Sequence, residues 1–96
     1  MKKERYVMVR SVNAGVFAGV FISRNGKEIV LKNARRIWYW AGAATLSQLA
    51  MEGTLRPNEC KFPLPVDKVE ILEAEEILDV TPIARKSIED VPVWKQ

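Results

Sequence analysis

The sequence predicts a mainly β domain of the α+β class, with a short helical insertion at about 43–52 and a short C-terminal helix at about 82–90. Three observations carry this expectation. Stretches of period-2 or wholly apolar β-prone sequence fill residues 6–40, an Asn-Gly pair sits between two of them, and helix-start signals stand out at Thr45 and Thr81.

Tyr6 to Val12 alternates, with Val7 and Val9 on one side and Met8 and Arg10 on the other. Asn13-Ala14-Gly15 is turn material. Val16 to Ile22 is apolar on both faces, which suits a strand between two layers or in a strongly curved sheet, and Gly19 in its middle marks a bend or bulge. Asn25-Gly26 is the strongest two-residue hairpin signal because both central residues of a type I′ turn take positive φ. The returning strand is Glu28 to Lys32. A break at Asn33-Ala34 then leads into a separate strand, Arg35 to Trp40, with Arg36, Trp38 and Trp40 on one face and Arg35, Ile37 and Tyr39 on the other. Ile37 and Tyr39 are expected in the core.

The insertion rests on Thr45-x-x-Gln48, the spacing of a capping box, with an apolar stripe of Leu46, Leu49 and Ala50 and a stop at Gly53. Residues 54–65 hold Pro57, Pro63 and Pro65 and read as an ordered loop. Val66 to Val80 reads as one long strand, kinked or bulged because its apolar phase shifts between Val69/Ile71 and Leu72/Ala74. Thr81-Pro82 starts the last helix, with Thr as N-cap and Pro at the first helical position, and Trp94 is expected to pin the extension after it. Short twisted strands with glycine bends and two small helices suggest an SH3-like or Sm-like barrel; an open antiparallel α+β sheet is the alternative.

At 96 residues the chain is expected to form a single domain spanning 1–96, small enough for oligomerisation to add stability. No apolar run approaches the roughly 20 residues of a bilayer span, and the first ten residues lack the apolar stretch of a signal peptide, so a soluble cytoplasmic protein is expected. Cys60 is the single cysteine and histidine is absent. That excludes Cys/His zinc sites and Ser-His-Asp or Cys-His nucleophiles, and it points away from an enzyme: no catalytic residue, metal site or cofactor is expected. The net charge of +3 is uneven. Residues 1–48 carry nine Lys/Arg against two Glu, whereas residues 49–96 carry six basic against ten acidic residues. The two halves either complement each other or leave a basic surface for an anion.

KNARRIWYW, Lys32 to Trp40, is the stretch that suggests a ligand. Arg36, Trp38 and Trp40 on one face would offer indole for stacking on a base and guanidinium for a phosphate fork. Arg10, Lys32, Thr45 and backbone amides at the start of the 43–52 helix are the candidates to complete the site. The structural alternative is that the aromatics are core or subunit-interface residues and that the arginines are solvated or paired with Glu73, Glu75 or Glu76. The acidic run Glu73 to Glu76 lacks the loop of a cation site and reads as a solvated face.

YVMVRSVNAGVFAG, GKEIVLKNARRIWYWAGAATLSQLA and ARKSIEDVPVW together resemble a family of small uncharacterised proteins of tailed bacteriophages and prophages, over nearly the whole chain. Ser11-Val12 departs from the more polar residues expected there. The resemblance carries over no activity and no catalytic residue; it implies a phage accessory protein made in the cytoplasm of a bacterial host. Four functions compete. The residues favour a non-catalytic binder of a small nucleotide or other phosphate-bearing ligand, acting as an oligomeric sponge for a host antiviral nucleotide signal. A protein–protein module (an inhibitor of a host enzyme or a virion accessory piece) stands next, then an RNA- or single-stranded-DNA-binding barrel, and last an enzyme.

Overall fold

The computed structural model describes residues 4–96. Three strands follow one another as antiparallel neighbours: β1 (Tyr6–Ser11), β2 (Gly15–Asn25) and β3 (Glu28–Arg36). A long connection holds α1 (Leu46–Glu52) and a single 3₁₀ turn at Pro57–Glu59. β4 (Val66–Ile71), β5 (Glu76–Asp79) and α2 (Pro82–Asp90) complete the fold. The sheet order is β4-β3-β2-β1-β5, antiparallel throughout.

The mainly β α+β class is therefore correct, and the helices lie where Thr45 and Thr81 place them. The barrel is not closed: among the described residues no ladder joins β4 to β5, so the open antiparallel sheet is the accurate description. The sheet nevertheless curls hard. Only residues 72–75 connect its two edge strands, and there the Ala74 amide donates to the Lys27 carbonyl beside β3 while the next amide, Glu75, donates to Arg10 on β1. Residues 66–80 are thus two strands on opposite edges of the sheet, not one kinked strand.

The curl explains two cores. Tyr6, Met8, Ala18 and Val20 face the helices and pack with Leu49, Ala50, Phe62, Ile88 and Val91. Val7, Val9, Phe17, Ile29, Leu31 and Ile71 point the other way, where no helix packs; they are buried because the sheet folds over them. Apolar residues on both faces of β2 are the sequence signature of this arrangement. β2 accommodates the bend through register shifts at Ala18/Val20, which brackets Gly19, and at Phe21/Ser23.

Several local expectations shift. The hairpin turn is Gly26-Lys27, not Asn25-Gly26: Asn25 pairs with Glu28, and positive φ occurs at Gly26 (62°) but not at Lys27, the pattern of a type II′ turn. β3 runs through the anticipated break because Asn33 takes a φ of 51°, which asparagine tolerates, and ladder bonds resume beyond it. The separate strand 35–40 does not exist. β3 ends at Arg36, and beyond it only Tyr39 pairs, with Lys61. α1 begins at Leu46 rather than 43. The Thr45 hydroxyl accepts from the Gln48 amide at 3.1 Å, while the Gln48 side chain accepts from the Ala44 amide at 2.8 Å, a capping box displaced by one residue. The Thr81 hydroxyl caps α2 through the Ala84 amide and donates to the Met51 carbonyl, tying the two helices together. The C-terminal extension is pinned by buried Val91, by a bridge between Val93 and Phe62 and by Trp94, whose amide donates to the Phe62 carbonyl at 3.0 Å while its ring stays 40% exposed.

No helix is long and apolar enough to cross a membrane. The uneven charge halves partly pair with each other, through Arg5–Asp79 at 2.7 Å and Arg10–Glu76 at 3.2 Å, both exposed and so worth little individually.

Tyr6 gives the fold a pH dependence. Burial, helped by the nearby Glu89 carboxylate, pushes its phenol up to about 12 from an ordinary value near 10. The folded state disfavours phenolate, so this contribution is intact below pH 10 and is lost as pH climbs from 10 to 12. Wild-type stability is expected to fall there by about 2–3 kcal/mol more than that of Tyr6→Phe, measured by urea melts across pH 9–12. Parallel pH profiles for the two proteins would show that the phenol ionises freely in the fold.

Candidate functional site

Consecutive residues on a strand point to opposite faces, and β3 ends on two arginines. Arg35 points inward and is 3% exposed. Its Nη1 donates to the carbonyls of Ile88 (2.9 Å) and Glu89 (3.4 Å), its Nη2 to Phe62 (3.2 Å) and its Nε to Pro63 (3.3 Å). The guanidinium also lies over the Phe62 ring at 5.5 Å. Ile88 and Glu89 belong to the last turn of α2, the negative end of the helix dipole, so the cation sits where backbone charge favours it. Burial draws its pKa down, yet a guanidinium stays protonated at any ordinary pH. Arg35 is a structural clamp joining β3, the 62–63 segment and α2.

Arg36 points outward. Its Nη1 donates to the Ala14 carbonyl at 2.7 Å and its plane lies over the Phe17 ring at 4.3 Å. Among the described residues no carboxylate comes within ion-pair distance of it. Of the two structural alternatives, solvated or paired with Glu73, Glu75 or Glu76, Arg36 shows the first: Glu76 bonds Arg10 and Glu75 accepts from the Val12 amide. Arg36 is thus an anchored, uncompensated cation.

Beside it lies a groove of about 420 Å³, lined by residues 12–16 of the β1–β2 turn on one side and by Arg36, Ile37, Trp38 and Trp40 on the other. The Ile37 amide donates to the Val16 carbonyl at 2.8 Å and fixes the width of the floor. Past the end of β3 the Tyr39–Lys61 bridge ties the chain to residue 61, and Trp38 and Trp40 line the groove together with Arg36 and Ile37. Trp38 is 63% exposed and stacks on Trp94, with ring centroids 6.5 Å apart and planes 6° from parallel. Trp40 is half-buried against the helix-side core. Ile37 is in the core as expected, whereas Tyr39 is not: it is exposed, with the Lys61 ammonium 5.8 Å from its ring.

The other proposed ligands do not line this groove. Arg10 stands directly opposite Val16 across the β1–β2 ladder, but its guanidinium is held by Glu76. Lys32 lies 3.5 Å from Glu4, in a chain of charges that continues through Arg85 to Glu89. Within it, the hydrogen bond from Arg85 holds the Glu4 carboxyl below its ordinary value. The Thr45 hydroxyl is occupied as a helix cap, accepting from the Gln48 amide, and the Ala44 amide before it is taken by the Gln48 side chain. Cys60 is buried, its sulfur against the Ala41 backbone. Among the described residues no group of three or more Cys, Asp or Glu is placed to hold a metal ion. The residues that sequence reasoning missed are those of the 12–16 turn, whose approach to Arg36 depends on the β2–β3 register.

A family model described as a domain of unknown function (DUF6948) matches residues 4–88, and the chain belongs to this family. No curated protein and no solved structure matches it.

Proposed function

We propose that this member of the DUF6948 family binds a small nucleotide or other phosphate-bearing ligand without transforming it. The observation that carries the reading is the meeting of Arg36, Trp38 and Trp40 on one groove that no carboxylate lines, in a chain with twelve acidic residues. Phosphate takes the guanidinium fork, and an exposed indole stacks on a base. The volume falls in the usual ligand range of roughly 300–1,000 Å³. In the phage setting that the sequence resemblance implies, such a binder acts in the host cytoplasm as a sponge, withdrawing a nucleotide signal of antiviral defence. A homo-oligomer would raise the number of sites per particle, and among the described residues no strand pairs with the outer edge of β4, which could join copies.

The test is thermal unfolding of the purified protein with a panel of linear and cyclic nucleotides. A ligand at about 100 times its Kd should add about 2.7 kcal/mol and raise Tm by roughly 10 °C or more. It should be recovered chemically intact after denaturation. A panel that moves Tm nowhere overturns the reading.

One observation favours a second reading, a protein–protein module. Trp38, Tyr39 and Trp94 form an exposed aromatic surface, with Lys61 5.6 Å from the Trp94 ring, and aromatic residues beside a cation are common anchors of interfaces. A host enzyme inhibited through that face would lose its inhibitor with Trp94→Ala, a substitution outside the groove.

A further inference from the structure

Arg36 lines a second groove as well. This one has a volume of about 370 Å³ and runs from Phe17 past Pro63 and Leu64 to Val66 and Lys68. The two grooves share the Arg36 guanidinium as a common wall. Among the described residues neither is lined by a carboxylate, and the charged side chains lining them are Arg36 and Lys68.

We infer that the site takes a dinucleotide: two nucleosides joined through phosphate, with the linkage at Arg36 and one nucleoside in each groove. The inference rests on the nucleotide reading above and specifies its ligand class. Among the described residues Arg36 spends only Nη1 on a protein acceptor and is braced on Phe17, so Nε and Nη2 remain to donate to a phosphate oxygen. A mononucleotide whose phosphate reaches Arg36 fills one groove and leaves the other, apolar and of ligand size, to water. A second nucleoside occupies it against Pro63, Leu64 and Val66, and brings its polar edge or a further phosphate to Lys68. The ammonium of Lys68 is 3.7 Å from Glu70, an exposed pair weak enough for a phosphate to displace. A long polynucleotide fits less well, because it needs a row of cations along its backbone and these grooves supply two.

Calorimetric titration decides the matter. The probes are 5′-AMP and 5′-GMP against linear and cyclic di-adenosine, di-guanosine and mixed dinucleotides and against single-stranded oligonucleotides of increasing length, each at low and at physiological salt. At least one dinucleotide should bind tenfold or more tightly than its constituent mononucleotides. Lys68→Glu, verified as folded by its unliganded Tm, should shrink that ratio at least fivefold. Equal affinity for mono- and dinucleotides, or a ratio unmoved by Lys68→Glu, overturns the dinucleotide inference and leaves the single-groove reading standing. No binding by any probe removes both. Affinity that grows with polynucleotide length and collapses with salt assigns a single-strand binder instead, and overturns it too.

Discussion

Arg35→Ala is expected to lower stability by about 3–5 kcal/mol, the largest effect of any single substitution considered for this chain. The removed guanidinium donates to four carbonyls, those of Phe62, Pro63, Ile88 and Glu89, and alanine replaces none of those bonds. The carbonyls of Phe62 and Ile88 keep the Trp94 and Val91 amides as donors, but the loss of the donor to Pro63 and Glu89, a cavity beside Phe62 and a cation removed from the end of α2 all act in the same direction. Against a total of roughly 5–15 kcal/mol for a domain, such a loss leaves a large unfolded fraction on warming. The urea midpoint should fall by at least about 1 M, given a slope of about 1–3 kcal/mol/M. Arg35→Lys should recover only part, since an ammonium cannot span the fork. Arg35→Met probes the assignment more sharply: it keeps the packing volume and offers no donor. If it melts at the wild-type midpoint, the clamp is ordinary packing and the carbonyls find water.

Arg35 also marks the limit of what the sequence reveals. Strand alternation places it on the same side as Ile37, which is correct and already hints at the interior. Its partners are another matter. They are backbone carbonyls 27 to 54 residues away, so no complementary charge in the sequence announces them. A reader of charge alone can look to Glu73, Glu75 or Glu76 to neutralise the pair, but Glu76 bonds Arg10 on β1 and Glu75 accepts from the Val12 amide just past it.

The same division runs through the fold. Val7 and Val9 against Met8, the bend near Gly19, the caps Thr45 and Thr81 and the stop at Gly53 were legible because each acts within a few residues. The misplaced features depend on pairing across the chain. Asn33 stays in β3 because ladder bonds to β2 and β4 on either side of it favour one continuous strand over local turn preference. Val66 to Val80 divides between opposite edges because the curled sheet brings the β2–β3 turn and β1 close enough for adjacent amides to bond Lys27 and then Arg10. Tyr39 leaves the core because β3 has already ended, so the sheet no longer dictates which way its ring points. For the candidate site, alternation within β3 set Arg36 apart from Arg35, whereas the placing of Trp38 and Trp40 beyond the strand, the far wall of the groove and the second groove required tertiary structure.

Arg36→Ala is expected to do the opposite of its neighbour's substitution: to remove binding and spare the fold. The side chain is exposed, and its protein contacts are one carbonyl and one aromatic face, so the stability cost should stay near 1 kcal/mol or less. A charge-assisted hydrogen bond to phosphate is worth about 1.5–3 kcal/mol, which corresponds to roughly 10- to 100-fold in Kd. Arg36→Lys retains the charge but loses the planar fork and the stack on Phe17, and should fall between the two. Trp38→Ala removes a stacking surface worth about 1–3 kcal/mol per base, while Trp40, half-buried against the core, would lose stability together with affinity. Each variant therefore needs two measurements, Kd for the best nucleotide of the panel and Tm without it. Undiminished nucleotide affinity in Arg36→Ala would move the phosphate elsewhere on the protein, and a collapse of Tm equal to that of Arg35→Ala would make the outer arginine a structural residue like the inner one.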